Sequence, residues 1–378
     1  MFEEGIQLKK ELGVENVADL ALGNPMMEPP GPAVERMRAL TNDPAPGTHR
    51  YMPNAGFAST RSAIAAHLEK HTGVPYTHKE VVMTVGAGGA LNVAFKALLD
   101  PGDEVVCLAP YFVEYKFYID NHRGKMVLVQ TDEGFRPDVP AIAAAVTERT
   151  RAVVVNAPNN PTGVVYPKED YDALGALLRE RSEAYGRPIY LISDEPYRAI
   201  QYEGVDVPWP VTSYRDTIHI TSFSKDLAMP GERIGYIGVN PATEASAELA
   251  SAFTFTNRIL GFVNAPAFQQ RLVEGLLDVQ LDTSGYVEKR ARLLRALEEG
   301  GYKFVRPMGA FYIFPEVPVA GMDDVAFVKA CLAERLLVVP GSGFGRPGHF
   351  RISYAVTDRD VDLACEALVR AAERVRAG

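Results

Sequence analysis

The chain has 378 residues, 47% of them hydrophobic and 23% charged, with a formal net charge of −9. That length exceeds what one core usually serves and calls for a large domain with a smaller one beside it. The acidic balance argues against a sequence-independent grip on nucleic acid or anionic lipid, and no apolar run reaches the length of a membrane span. Cys107, Cys331 and Cys365 are widely spaced, with no paired-cysteine motif, and are expected as small buried hydrophobes. The start, Met1-Phe2-Glu3-Glu4-Gly5, lacks the plan of a signal peptide, so the expected compartment is the cytoplasm.

In chain order, Met1–Leu12 reads as a helix. Short apolar runs then alternate with helical stretches: Val81–Val85, Glu104–Ala109, Lys125–Val129, Ala152–Asn156, Pro188–Ser193, Thr217–Thr221 and Ile234–Val239 as strands, with Ala90–Leu99, Asp138–Val146 and Lys168–Ala184 as helices. Strands apolar almost throughout are buried on both faces, and the alternation predicts an α/β domain with a mostly parallel seven-stranded sheet flanked by helices. The seventh strand follows a turn and has no need to be parallel. Beyond it, a long helix is expected over Leu272–Glu299, then strands at Gly309–Pro315, Leu336–Pro340 and Phe350–Tyr354 and a closing helix Asp360–Arg376. The expected division is a large domain over 32–271 and a smaller α+β domain from 1–31 and 272–378.

Two patterns are set aside. Gly343-Phe344-Gly345-Arg346-Pro347-Gly348 matches GxGxxG, but a dinucleotide loop must open a helix and here Pro347 and a strand follow. His67 and His71 have the helical spacing of a metal pair without the Glu of a metalloprotease, so a solvated helix face is expected.

Four segments carry chemistry. Gly86-Ala87-Gly88-Gly89-Ala90 joins a strand to a helix and offers backbone N–H groups to an anion, or is simply a tight turn. Asn156-Ala157-Pro158-Asn159-Asn160-Pro161-Thr162-Gly163 is a rigid loop after a strand. Ser193-Asp194-Glu195-Pro196-Tyr197 puts an acid at a strand's carboxyl end, where open α/β sheets bind ligands; capping a helix is its other reading. Ser222-Phe223-Ser224-Lys225 continues to Arg233-Ile234-Gly235, and a lysine desolvated there invites a covalent role, against a plain surface lysine.

Together the S-x-S-K segment with R-x-G eight residues on, N-N-P-T-G and D-E-x-Y resemble the aspartate-aminotransferase-like class I/II family of fold type I pyridoxal-phosphate enzymes, from about Gly23 to Arg351. The resemblance implies that Lys225 carries pyridoxal 5′-phosphate covalently and moves the proton at the substrate α-carbon. Asp194 would face the pyridine nitrogen, Asn160 and Tyr197 the ring hydroxyl, and Phe112 would stack on the ring. Ala87, Gly88, Ser222, Ser224 and Arg233 would hold the phosphate. Arg351 would grip the substrate carboxylate, and Gly23 and Asn24 would cover it. Tyr51 would reach the phosphate in a neighbouring subunit, which implies a homodimer with shared active sites.

Aminotransfer between an L-amino acid and a 2-oxo acid, with glutamate and 2-oxoglutarate as one pair, is the implied reaction. A lyase or decarboxylase on the same scaffold and a non-catalytic sensor are the alternatives. The chain departs from aspartate specialists: Gly88 stands where some carry a lysine and Ile259 where others carry an arginine, with Arg258 one residue away. Side chains broader than aspartate, apolar or aromatic, are therefore expected, while Arg258 keeps aspartate itself open. An N-terminal arm reaching the partner is expected to be absent or trimmed, since Met1–Leu12 already reads as a helix.

Overall fold

In the computed structural model, which describes residues 2–44 and 46–377, seven strands form one sheet. Their order across it is Val81–Thr84, Gly235–Val239, Thr217–Ser222, Tyr190–Asp194, Thr150–Asn156, Glu104–Ala109, Lys125–Gln130. All run parallel except Gly235–Val239, which is antiparallel to both neighbours. A turn from Ser222 to Arg233 feeds that strand, so no crossover is available to make it parallel.

Alternate residues serve opposite faces. Val105, Cys107 and Ala109 pack with Val154, Ile192 and Ile218 beneath the helices Gly86–Leu98 and Ser246–Ile259. Val106 and Leu108 pack with Val153, Val155 and Leu191 against Lys168–Tyr185. Because all of these strands except the partly exposed edge strand Lys125–Gln130 are buried on both sides, no polar alternation marks them in the sequence.

A further core gathers Ala18 and Leu20 with residues from Leu281 to Ala372, and Tyr197, Ile200 and Tyr202 from the main sheet's loops reach into it. Its sheet is small: Val339–Pro340, Phe350–Ser353 and Tyr312–Ile313, antiparallel, with Ala18–Asp19 paired separately to Leu336–Leu337. The closing helix runs Asp358–Ala377, and Phe2–Leu12 is helical as expected, Met1 lying outside the described residues.

Several expectations need correction. The helix expected over Leu272–Glu299 is broken: Ala267–Val273 ends one helix, and the next is Ser284–Glu299. Between them Leu276 and Leu277 are held by one core and Leu281 by the other, so the chain must change direction there. The strand at Gly309–Pro315 shrinks to Tyr312–Ile313, and Leu336–Pro340 splits, each half pairing with a different partner. Cys107 and Cys331 are buried, whereas Cys365 is only partly so, on the closing helix. The GxGxxG run is a 3₁₀ turn, Gly341–Phe344, leading to a strand. Among the described residues no helix is long and apolar enough to cross a membrane.

Candidate active site

Parallel strands deliver their carboxyl ends to one edge, and the antiparallel strand delivers its amino end to the same edge. Gly86, Phe112, Asn160, Asp194, Ser222 and Arg233 therefore converge although they lie far apart in the chain. A cavity of about 210 Å³ opens there, lined by Ala87, Gly88, Phe112, Asn160, Asp194, Tyr197, Ser222, Ser224, Lys225 and Arg233, together with Tyr118 and Asn156. Ten of the residues singled out in the sequence thus meet around one cavity.

One end of the cavity is built for an anion. The helix Gly86–Leu98 starts at Gly86, whose φ of +72° suits glycine, and its first backbone N–H groups have no partner within the helix. A Cβ on Gly86 would stand 2.9 Å from Arg233 Nη2, so the guanidinium lies against this helix start. Arg233 itself has φ +50° and donates from Nη1 to Pro230 O at 2.8 Å, which aims the side chain back from the turn. Ser222 and Ser224, both buried, supply hydroxyls beside it.

The opposite wall holds Asp194. Tyr115 Oη donates to its Oδ2 at 2.5 Å, while Oδ1 is buried without a hydrogen-bond partner. Burial pushes the carboxyl up to about 7, the Tyr115 hydrogen bond opposes the rise and the charge of Glu195 adds to it. Glu195 contrasts with its neighbour: Arg198, His219 and Ser193 surround it and outweigh its burial, holding its pKa down at about 2. Helix capping, the other reading of Asp194, is not its role, because its carboxylate bonds only to a tyrosine. Asn156 Nδ2 donates to Asp194 O at 2.7 Å, and Asn156 Oδ1 receives the Asn160 N–H at 2.8 Å, which locks the N-N-P-T-G loop to the strand end.

Lys225 closes the floor. Its Nζ donates to Gly23 O at 2.7 Å, and burial, with the charges of Arg233 and Arg351 adding, lowers its pKa to about 8. Gly23 must be glycine here, since a Cβ would fall 1.9 Å from Tyr312 Oη. Arg351 does not line the cavity but is tied to it: Nη1 donates to Asn160 Oδ1 at 3.0 Å and Nη2 to Ala21 O at 2.6 Å, leaving Nε buried without a partner. Asn24 is exposed, and Tyr51, 91% exposed, lies outside the cavity.

Four residues escaped the sequence reading. Tyr118 lines the cavity from the helix Glu114–Asp120. Tyr115 lies in the first turn of that helix, three residues after Phe112, which precedes it. Tyr312, whose Oη lies 2.9 Å from Tyr197 Oη, sits in a strand too short to show a pattern. Glu114 has a buried Oε2 without a partner among the described residues; burial raises its pKa, the Arg351 charge opposes that rise, and its own charge acts on Tyr118 and Tyr312. Only the folded arrangement of these residues reveals that.

The cavity fits pyridoxal phosphate on its own evidence: a partnerless carboxylate oxygen for a protonated ring nitrogen, a lysine of lowered pKa, and a helix-start cradle with an arginine for the phosphate. Comparisons with known proteins agree. Residues 15–368 match the model of the family described as aminotransferase class I and II. The chain is 35% identical over 371 residues to an aspartate/prephenate aminotransferase of Thermus thermophilus, covering 97% of this chain and 93% of that one. It is 30% identical to an aromatic-amino-acid aminotransferase of Thermococcus litoralis, covering 94% and 92%. A solved aminotransferase structure from Eubacterium rectale superposes with a TM-score of 0.95 at 36% identity, covering 99% of this chain and 94% of that one. The chain belongs to the class I and II aminotransferases and is a pyridoxal-phosphate-dependent aminotransferase.

Proposed function

We propose that the enzyme exchanges amino groups between neutral or aromatic L-amino acids and the glutamate/2-oxoglutarate pair. The observation that carries this is the absence of a cation at Gly88 combined with Glu114, whose Oε2 is buried and unpaired near Arg351 and Tyr118. A second substrate carboxylate brought towards this acid would meet like charge, so a short dicarboxylate such as aspartate is disfavoured. Glutamate, one carbon longer, places its second carboxylate elsewhere, with Arg258 as the available cation.

Bound pyridoxal phosphate supplies the electron sink that makes the substrate α-proton acidic. The residues do the rest. Ala87 and Gly88 N–H groups, Ser222, Ser224 and Arg233 would hold the phosphate; Asp194 would face the ring nitrogen and keep it protonated; Asn160 and Tyr197 would hold the ring hydroxyl, and Phe112 would cover the ring. Arg351 would take the α-carboxylate with its planar fork and so orient the Cα–H bond, and Gly23 and Asn24 would cover the substrate. Lys225, half deprotonated near pH 8, would take the α-proton and return it, which is general base and then general acid work at one nitrogen.

A homodimer is part of the proposal. Tyr51 and the nearby segment form one exposed surface: Asn54 Nδ2 donates to Val263 O at 2.9 Å and Asn264 Nδ2 to Pro53 O at 3.1 Å, and Phe255, Ile259 and Val263 are exposed beside Arg258. An apolar surface carrying a tyrosine and an arginine suits a second copy that receives both in its own cavity. The division into a large domain over 32–271 and a small domain from 1–31 and 272–378, and a cytoplasmic location, complete the proposal.

The test is an amino-donor panel with 2-oxoglutarate, following glutamate formation. The expected order places alanine, leucine or phenylalanine ahead of aspartate. Aspartate exceeding all three by more than about 100-fold in kcat/KM overturns the proposal, since such a preference needs a cation dedicated to the second carboxylate.

A further inference from the structure

Away from the cavity, the helix Ala58–Thr72 places His67 and His71 one turn apart, their rings 4.4 Å between centroids. A third group joins them from the segment after the helix Ala267–Val273. Asp278 Oδ1 lies 3.2 Å from His67 Nδ1 and 3.9 Å from His71 Nε2, and one ligand atom from each residue falls within 4.8 Å of the other two. The other oxygen, Oδ2, is engaged by Lys70 Nζ at 3.0 Å, which orients the carboxylate with Oδ1 turned to the imidazoles.

We infer that His67, His71 and Asp278 form a binding site for one zinc-like divalent transition metal ion, fastening the connector between the two cores to the helix Ala58–Thr72. Two imidazoles and one carboxylate are the donor set such ions take, water completing the shell. The position gives the ion a structural consequence. Leu276 packs in the core that also holds Ile64 and Leu68 of that helix, whereas Leu281 packs in the core of the chain's C-terminal part. Asp278 lies between them, so a metal bound here fixes the last part of the connector before the chain changes cores.

The protein carries its own reporter. The His71 ring stacks on Trp209 at 6.2 Å, and Trp209 is the chain's single tryptophan. Zn²⁺ titrated by calorimetry into the cofactor-loaded, chelator-washed enzyme is expected to bind once per chain and to raise Tm, because an ion held only by the folded state stabilises it. Ni²⁺ is expected to displace it and to quench Trp209 fluorescence. His67→Gln and His71→Gln should each weaken Zn²⁺ binding about 10-fold or more. Asp278→Asn, an exposed change that leaves Trp209 packing untouched, should weaken it too while keeping the unliganded emission spectrum. No saturable Zn²⁺ binding up to about 1 mM, or unchanged affinity in the His67→Gln/His71→Gln double variant, overturns the inference and leaves the cluster as surface packing.

Discussion

Tyr115 holds Asp194 by one carboxylate oxygen and leaves the other free. In the proposed arrangement that division of labour would set the cofactor's electronics: the tyrosine fixes the orientation, and the open oxygen would face the ring nitrogen. Asp194→Asn keeps the shape but removes the charge that holds the ring nitrogen protonated. We expect kcat to fall by about three orders of magnitude, with KM changing far less. Tyr115→Phe should fall by about 10-fold, since the acid stays but its orientation loosens. Steady-state kinetics on both variants check this; equal losses would mean the tyrosine is more than a positioning group.

Arg351→Lys is not conservative at this position. One ammonium cannot span Asn160 Oδ1 and Ala21 O and still pair with a substrate carboxylate along two parallel bonds. The expected loss in kcat/KM is about 100-fold, or roughly 3 kcal/mol, expressed mainly in KM. A loss confined to kcat would place the arginine in the chemical step instead.

Two buried acids and a buried lysine give the cofactor-free protein a pH signature with opposite slopes. Burial raises Asp194 and Asp226 each from 3.8 to about 7, so between those values the folded chain holds protons that the unfolded chain has released, and stability falls as pH rises through that window. Lys225 is lowered from 10.5 to about 8, so above pH 8 the unfolded chain binds the extra proton, and stability rises with pH up to about 10.5. Denaturant titrations across pH should show both limbs. Asp194→Asn should make the first limb shallower, Asp194→Asn with Asp226→Asn should flatten it, and Lys225→Met should flatten the second; a limb unchanged by its variants belongs to another group.

Gly23→Ala tests how tightly the substrate loop fits. The new methyl would collide with Tyr312 Oη, the partner of Tyr197 Oη, and push away the carbonyl that Lys225 reaches. The loop is partly exposed and can yield, so Tm should drop by only a few degrees, about 1–2 kcal/mol, while kcat/KM falls by about 10-fold or more. A large Tm loss with normal turnover would contradict the assignment of the loop to the site.

Glu114→Gln removes the acid proposed to exclude short dicarboxylates. Aspartate's kcat/KM should rise by about 10-fold relative to that of leucine, because the like-charge penalty is removed while the apolar surroundings stay. An unchanged ratio means that Glu114 does not face the substrate side chain.

The seven strands were legible because each is a short apolar run closed by a turn, and such runs declare burial without help from the rest of the chain. The turns at their ends were legible for a related reason: glycines, prolines, asparagines and a lysine among serines satisfy local backbone and chemical demands that show in a few consecutive letters. Ala87, Gly88, Asn160, Asp194, Ser222, Lys225 and Arg233 could therefore be named from such segments. Tyr115, Tyr312 and Glu114 could not, since nothing local distinguishes a tyrosine that completes an acid's hydrogen bonding from one that fills a core. The break between Val273 and Ser284 was hidden too: its helical periodicity is real, but two separate cores claim the residues on either side. Sequence by itself laid out the strands, because these rest on patterns within a few residues of one another, while the lysine and the cofactor followed only from the joint resemblance of segments spread along the chain to a known family. Tertiary structure decided which oxygen of Asp194 is free, what Arg351 leans on and that Asp278 meets His67 and His71, because each depends on groups brought together only when distant strands and helices pack.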